Sequence, residues 1–118
     1  MPEQHDNTPD DSSAAPLTFA QAQAAVDASI RALGGYWPPL ANLARLFEEC
    51  GELARAVNQG HGPKRLKEGE VQAAAREELG DVLYVLLVLA NSLDLDVGAA
   101  LGDALARAQQ RANQSPGG

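Results

Sequence analysis

The run Glu77-Glu78-Leu79-Gly80-Asp81-Val82-Leu83-Tyr84-Val85-Leu86-Leu87-Val88-Leu89-Ala90 changes character after Asp81, passing from acidic to apolar without a turn signal. It reads as the centre of a long helix from about Val71 to Leu93. The part after Asp81 is apolar on every side, so it must be buried all round, against its own domain and against a partner subunit. Residues three apart in an α-helix are separated by about 300°, which puts Glu78 and Asp81 on one face. The same spacing recurs in Glu48-Glu49-Cys50-Gly51-Glu52, where Glu49 and Glu52 share a face. If the two helices pack antiparallel with these faces opposed, four carboxylates converge, and they repel unless protons or cations neutralise them. Donors that are all oxygen point to a hard cation, Mg²⁺ first and Mn²⁺ second. A salt bridge from Glu78 or Asp81 to Arg45 or Arg76 is the alternative compensation.

Composition supports an all-α domain. The chain has 118 residues, 45% hydrophobic but only 4% aromatic, and its apolar residues are mainly Ala, Leu and Val, which suit close helix packing. So small a core leaves a lone monomer little margin, and a homo-oligomer is expected. The net charge of -7, from 16 acidic and 9 basic residues, disfavours nucleic acid and anionic membrane surfaces as partners. A single cysteine, Cys50, excludes an intrachain disulfide and fits a reducing compartment. With no apolar run near the ~20 residues that span a bilayer, the expectation is a cytoplasmic protein.

Around the acidic runs, the chain divides into a polar tail (1–16), a helical domain (17–112) and a short polar tail (113–118). Thr18 and Gln21 form a capping-box pattern for a first helix that Gly34-Gly35 ends. Tyr36-Trp37-Pro38-Pro39 is a rigid connection whose aromatic rings either plug the end of the bundle or offer a stacking surface to a planar base. The second helix runs from Pro39 or Leu40 to Gln59, with Leu43, Leu46, Phe47, Leu53 and Val57 as its apolar stripe and Asn42 and Arg45 flanking the acidic pair. Gly51 within it costs roughly 1 kcal/mol against Ala, read either as a close approach by a helix or a ligand or as mere drift. Gly60-His61-Gly62-Pro63 ends that helix. Lys64, Arg65 and Lys67 follow in a loop that continues to Glu70, read either as a solvated surface run or as a flap over polyphosphate oxygens. Asp96 caps a final helix from Val97 to about Ala112, on which Arg107 and Arg111 share a face. Neither His5 nor His61 lies on an acidic helix, which disfavours the Glu-x-x-His pairs of di-iron bundles.

The ordered pair Glu49-x-x-Glu52 and Glu78-x-x-Asp81, with 25 residues between, resembles the signature of the MazG family of the all-α nucleoside triphosphate pyrophosphohydrolase superfamily. The runs Tyr36-Trp37-Pro38-Pro39-Leu40-Ala41, Ala44-Arg45-Leu46 and Leu89-Ala90-Asn91-Ser92-Leu93-Asp94 look like its short, single-domain, YpjD-like branch. The resemblance covers about Gly34 to Arg111. It implies a four-helix domain assembling as a homodimer or homotetramer within a helical bundle. It further implies hydrolysis of an NTP or dNTP between the α and β phosphates, with Mg²⁺ held by Glu49, Glu52, Glu78 and Asp81, in the removal of noncanonical or surplus nucleotides. Glu48 stands beside this set as an outer-sphere group or proton acceptor. Tyr36, Trp37 and Asn42 are the positions expected to meet the nucleoside, and Arg45, flanking the acidic pair, is expected to meet the substrate as well; the phosphate grip is left open between Lys64, Arg65 and Lys67 and the pair Arg107 and Arg111. Relatives often continue the last helix into a basic, aromatic segment, whereas this chain ends in Asn-Gln-Ser-Pro-Gly-Gly. That departure keeps open an alternative, a helical module that binds nucleotide for regulation without turning it over.

Overall fold

The computed structural model describes residues 14–59 and 66–114, which form four α-helices and, among the described residues, no strand. Helix α1 spans Phe19–Ala32. Its first turn is closed reciprocally: the Gln21 amide N–H donates to Thr18 Oγ1 at 3.1 Å, and the Thr18 N–H donates to Gln21 Oε1 at 2.9 Å. Such a cap contributes about 1 kcal/mol. At the other end Gly34 and Gly35 take φ of 111° and 102°, where a side chain is strained, and the Gly35 N–H returns to the Ile30 carbonyl at 2.9 Å.

Helix α2 spans Pro39–Asn58 and starts with proline in its first turn, where no amide donor is missed. Helix α3 spans Glu68–Ser92, and α4 spans Val97–Gln114. Two boundaries differ from expectation. The loop expected to reach Glu70 is already helical from Glu68, because Glu68 and Glu70 place negative charge against the positive end of the α3 dipole. The last helix passes Ala112 and continues through Asn113 and Gln114, since the first strong helix breaker in the sequence is Pro116. Asp96 caps α4 as expected, its Oδ1 accepting from the Ala99 N–H at 2.9 Å. His5, His61, Lys64 and Arg65 lie outside the described residues, as does most of the two expected tails.

The α2–α3 pair dominates the packing, α1 lies across α3, and α4 bends away from α3 by 103° to pack on α1. The ends of the α2–α3 connection are tied by the Leu66 N–H donating to the Gln59 carbonyl at 2.8 Å. Val26 of α1 with Leu87 and Val88 of α3 forms the core, and Ala22, Ile30, Tyr36, Tyr84 and Val97 pack around it. A polar staple that no pattern announced fastens the same region. Gln23 donates to Asn91 Oδ1 and to the Leu95 carbonyl, Asn91 donates back to the Gln23 carbonyl, and the Val97 N–H donates to Gln23 Oε1, all at 2.8–3.0 Å. No single helix among the described residues is long and apolar enough to cross a membrane.

One expectation about packing is revised. Phe47 and Val57, assigned to the apolar stripe of α2, are 68% and 48% exposed, because the face that meets α3 is carried instead by Asn42, Leu46, Leu53 and Ala56. Nothing lies within 4 Å of where a Cβ on Gly51 would sit, so no close approach within the protomer accounts for that glycine. Within the protomer, Val85, Leu87, Val88 and Ala90 of α3 are buried, while Leu79, Leu83 and Leu86, on the side expected to meet a partner subunit, are 47%, 41% and 37% exposed.

Asp27 ties the Tyr36-Trp37 connection to α1, accepting from the Tyr36 hydroxyl at 2.6 Å and from Arg31 Nε at 3.0 Å. The Tyr36 hydrogen bond first, then Arg31, holds the Asp27 carboxyl below its ordinary value of 3.8. A lowered carboxyl pKa contributes stability that is full above the unfolded value and is lost as pH falls through the folded one. Asp27→Asn is therefore expected to lower the thermal midpoint at pH 7, and the gap to wild type should close as pH drops below 3.8. Thermal melts of both proteins across that range check it; a gap independent of pH would mean that the charge is not what matters.

Candidate functional site

The acidic faces of α2 and α3 do meet. Glu49 of α2 and Glu78 and Asp81 of α3 each offer a carboxylate oxygen within 4.8 Å of the others'. Glu49 and Glu78 are half-buried and Asp81 is exposed, so the group forms an open-sided cup between the two helices rather than a sealed cage. Partial burial, followed by the negative charges of Asp81, Glu52, Glu49 and Glu77, pushes the Glu78 carboxyl above its ordinary value. No positive charge stands among the causes of that shift. Neither Arg45 nor Arg76 supplies it: among the described residues the ion pairs are Asp27–Arg31 and Glu52–Arg55. Three carboxylates at this separation offer the oxygen donors a hard divalent cation takes, and the spacing suits one ion held between two helices.

Glu52, expected as the fourth ligand, stands just outside the group. Its carboxylate is half-exposed and lies 3.9 Å from Arg55 on the same helix. Glu48 is exposed, one residue and about 100° around the helix from Glu49.

The expected nucleoside positions Tyr36, Trp37 and Asn42, and Arg45 with them, gather at the Tyr36-Trp37 connection. Trp37 is 59% exposed, and the Arg45 guanidinium lies over its ring at 5.9 Å from the centroid. Arg45 is four residues before Glu49, so the stack and the acidic cup share one side of α2. Asn42 is 3% exposed and gives its amide to the Trp37 carbonyl at 3.2 Å, which fixes the backbone that carries the ring. Ile30, Leu33, Trp37, Asn42, Arg45 and Val88 line a cavity of about 120 Å³ there. A larger polar depression of about 650 Å³ opens on the other side of Trp37, between Gln23, Asp27, Arg31, Tyr36 and Asn91. Tyr36 turns its ring into the core and its hydroxyl to Asp27, which leaves Trp37 as the exposed ring of the pair. The Asp27–Arg31 spacing was a readable helix pair in the sequence, but nothing there tied it to Tyr36.

The basic residues are more scattered. Lys67 is the exposed N-cap residue of α3, about 16 Å along the axis from Glu78. Arg107 and Arg111 are exposed on α4, which packs on α1, whereas the cup lies between α2 and α3.

Comparison with known proteins then decides the family, because residues 38–115 match the MazG nucleotide pyrophosphohydrolase domain. The chain belongs to the MazG family. It is 50% identical over 84 residues to the uncharacterized protein YpjD of Bacillus subtilis strain 168, covering 70% of this chain and 76% of that protein. The solved structure of YpjD from Bacillus subtilis superposes with a TM-score of 0.69 at 43% identity, covering 80% of this chain and 97% of that one. The Bacillus-conserved MazG protein, a nucleotide pyrophosphohydrolase, gives 0.67 at 40% identity, covering 80% and 92%. The match contains the acidic cup and Arg45, while Tyr36 and Trp37 just precede its start.

If repulsion within the cup is real, removing one charge should relieve it. Glu78→Gln is expected to raise the thermal midpoint in a chelator and to shrink the further rise that millimolar Mg²⁺ or Mn²⁺ gives wild type. Thermal shift of the two proteins, with and without cation, reads both effects; a variant less stable than wild type in chelator contradicts the repulsion.

Proposed function

We propose that this MazG protein hydrolyses nucleoside triphosphates, NTP or dNTP, between the α and β phosphates, giving a nucleoside monophosphate and pyrophosphate. The observation that carries the reading is the convergence of Glu49, Glu78 and Asp81 on one point between α2 and α3. Mg²⁺, with Mn²⁺ as its substitute, fits these donors, and Glu52 completes the set when its carboxylate turns from Arg55 toward Glu78. Such an ion supplies charge neutralisation for the polyphosphate and makes water acidic enough to ionise near neutral pH. The protein's own groups do the rest. Trp37 offers an open ring to the base, and base stacking of this kind tolerates every base. Arg45, held over that ring, is placed between the base end and the carboxylates and can follow a phosphate oxygen. Glu48, exposed and next to Glu49 in sequence, is the candidate to accept the proton of water, directly or through a second water, as its oxygen bonds to phosphorus and the anhydride bond breaks.

A homodimer or homotetramer is the working form in this reading. Its support is the half-exposed leucine row of α3, Leu79, Leu83 and Leu86. Leu83 and Leu86, with Phe19, line two apolar grooves of about 470 and 450 Å³. The role is cytoplasmic house-cleaning of the nucleotide pool. One observation favours a second reading, a nucleotide-binding or regulatory module without turnover: no basic residue among those described forms an ion pair with the cup, and Lys67, Arg107 and Arg111 lie on other parts of the fold.

Incubation with a panel of NTPs and dNTPs plus Mg²⁺, with products resolved, separates the two. Monophosphate and pyrophosphate are expected. Diphosphate and orthophosphate would refute the proposed bond, and calorimetric binding without turnover would favour the module. Glu49→Gln and Asp81→Asn are each expected to cost more than the roughly 10- to 100-fold typical of losing an outer-sphere partner, with helical circular dichroism unchanged.

A further inference from the structure

The depression of about 650 Å³ beside Trp37 takes no part in the chemistry proposed above. Most polar groups in its wall are already bonded. Asp27 accepts from the Tyr36 hydroxyl and from Arg31 Nε with its two oxygens, Gln23 and Asn91 bond to each other and to backbone, and the Ser92 hydroxyl donates to the Leu89 carbonyl. Two charged groups of the wall keep capacity to spare. Arg31 has its terminal N–H groups beyond the Asp27 bond, on a side chain 71% exposed, and the Asp94 carboxylate has no ion-pair or hydrogen-bond partner among the described residues. Asp94 holds φ 55° in the left-handed turn that ends α3, where the Leu95 N–H returns to the Ala90 carbonyl at 2.9 Å. Glycine is the usual residue in such a turn, so a carboxylate placed there at a steric cost points to a use beyond the turn itself. Along α1 the two groups are in register for a small flat ligand: Gln23 bonds to the Leu95 carbonyl next to Asp94, and Arg31 folds back to Asp27, one turn or about 6 Å further along the axis. Arg45, which stands over the Trp37 ring, is not part of this wall, so a ligand can lie against Trp37 without displacing it.

We propose that this depression binds a guanine base, which lies against Trp37, donates its N1–H and 2-amino group to Asp94 and accepts from the Arg31 fork at O6 and N7. A guanidinium matches the paired acceptors O6 and N7 of guanine, and a carboxylate matches two parallel N–H donors, so the two free groups of the wall fit two edges of one base. Adenine reverses both contacts, turning its 6-amino group to Arg31 and its bare N1 to Asp94. A pyrimidine has no N7 and is too narrow to bridge the pair. Stacking on Trp37 alone tolerates every base, so the choice among bases falls to Asp94 and Arg31. That the ligand is a nucleobase rests on the nucleotide chemistry proposed above, but binding here needs neither cation nor turnover and is tested apart from hydrolysis. The guanine has two possible sources, the base of the triphosphate whose phosphates meet the cup or a second guanine nucleotide bound beside it.

Trp37 is the single tryptophan of the chain, so its fluorescence reports on the depression directly. The full chain in chelator is titrated with GMP, AMP and CMP, with correction for the light each ligand absorbs. GMP is expected to quench the emission and to bind roughly 10- to 100-fold more tightly than AMP or CMP, the discrimination that a bidentate pair gives. Asp94→Gly installs the residue the turn prefers and removes the carboxylate, and it should bring GMP down to the level of AMP with helical circular dichroism unchanged. No quenching by GMP, equal affinity for the three monophosphates, or unaltered GMP binding in Asp94→Gly overturns the proposal. Calorimetry of a non-hydrolysable GTP analogue then separates the sources: one analogue per chain, bound more tightly with Mg²⁺ than without, makes the guanine the substrate's own base, and two per chain make it a second nucleotide.

Discussion

Mutual repulsion among carboxylates at the α2–α3 contact is the constraint on which the rest of this structure depends. Glu49, Glu78 and Asp81 hold oxygens within 4.8 Å of one another at the packing contact that dominates the fold. Partial burial and the surrounding negative charge both act against ionisation of Glu78. A helix pair chosen for stability alone would not carry this arrangement, since buried or half-buried like charges oppose folding unless a partner neutralises them. With Arg45 over the Trp37 ring and Arg55 beside Glu52, no basic side chain among the described residues forms an ion pair with the cup. Strain at a functional site of this kind must be offset elsewhere in the fold.

The offset comes from both apolar and polar contacts. The apolar core is small, Val26, Leu87 and Val88 with a ring of partly buried neighbours, and the Gln23–Asn91 staple adds hydrogen bonds that fix α1 and the start of α4 to the end of α3. This fixes the frame at one end of α3 while the acidic cup sits further back along the same helix. Large apolar side chains stay exposed on both helices, Leu40, Phe47 and Val57 on α2 and Leu79, Leu83 and Leu86 on α3. In the proposed reading, association would bury those faces and a cation would neutralise the cup.

Much of this was legible in the sequence because the signals were local. Thr18 with Gln21, Gly34-Gly35 and Asp96 mark helix ends by side-chain-to-backbone bonds that span three or four residues, and each acts in the structure as its pattern implies. The opposition of Glu49 to Glu78 and Asp81 followed from spacing and a short connection. What spacing could not reveal was which of two apolar faces of α2 turns inward. Phe47 fits the helical period as well as Leu46 does, and only the small, close-packing Ala56 and the polar Asn42 on the inner face decide it. Glu52 shares a face with Glu49, yet its carboxylate lies beside Arg55, within one turn, instead of joining the group of three. The bonds of Gln23 with Asn91 and of Asp27 with Tyr36 join residues whose partnership is set by tertiary packing, and no periodicity encodes it.

The account stands or falls on whether the cup between α2 and α3 takes a divalent cation. Titration of the full chain with Mn²⁺, following the loss of the free-ion electron paramagnetic resonance signal, counts bound ions directly and needs no substrate. The account predicts at least one Mn²⁺ bound per chain, displaced by excess Mg²⁺ and lost in Asp81→Asn. A free-ion signal undiminished by the protein, or binding that survives the loss of Asp81 unchanged, would contradict it.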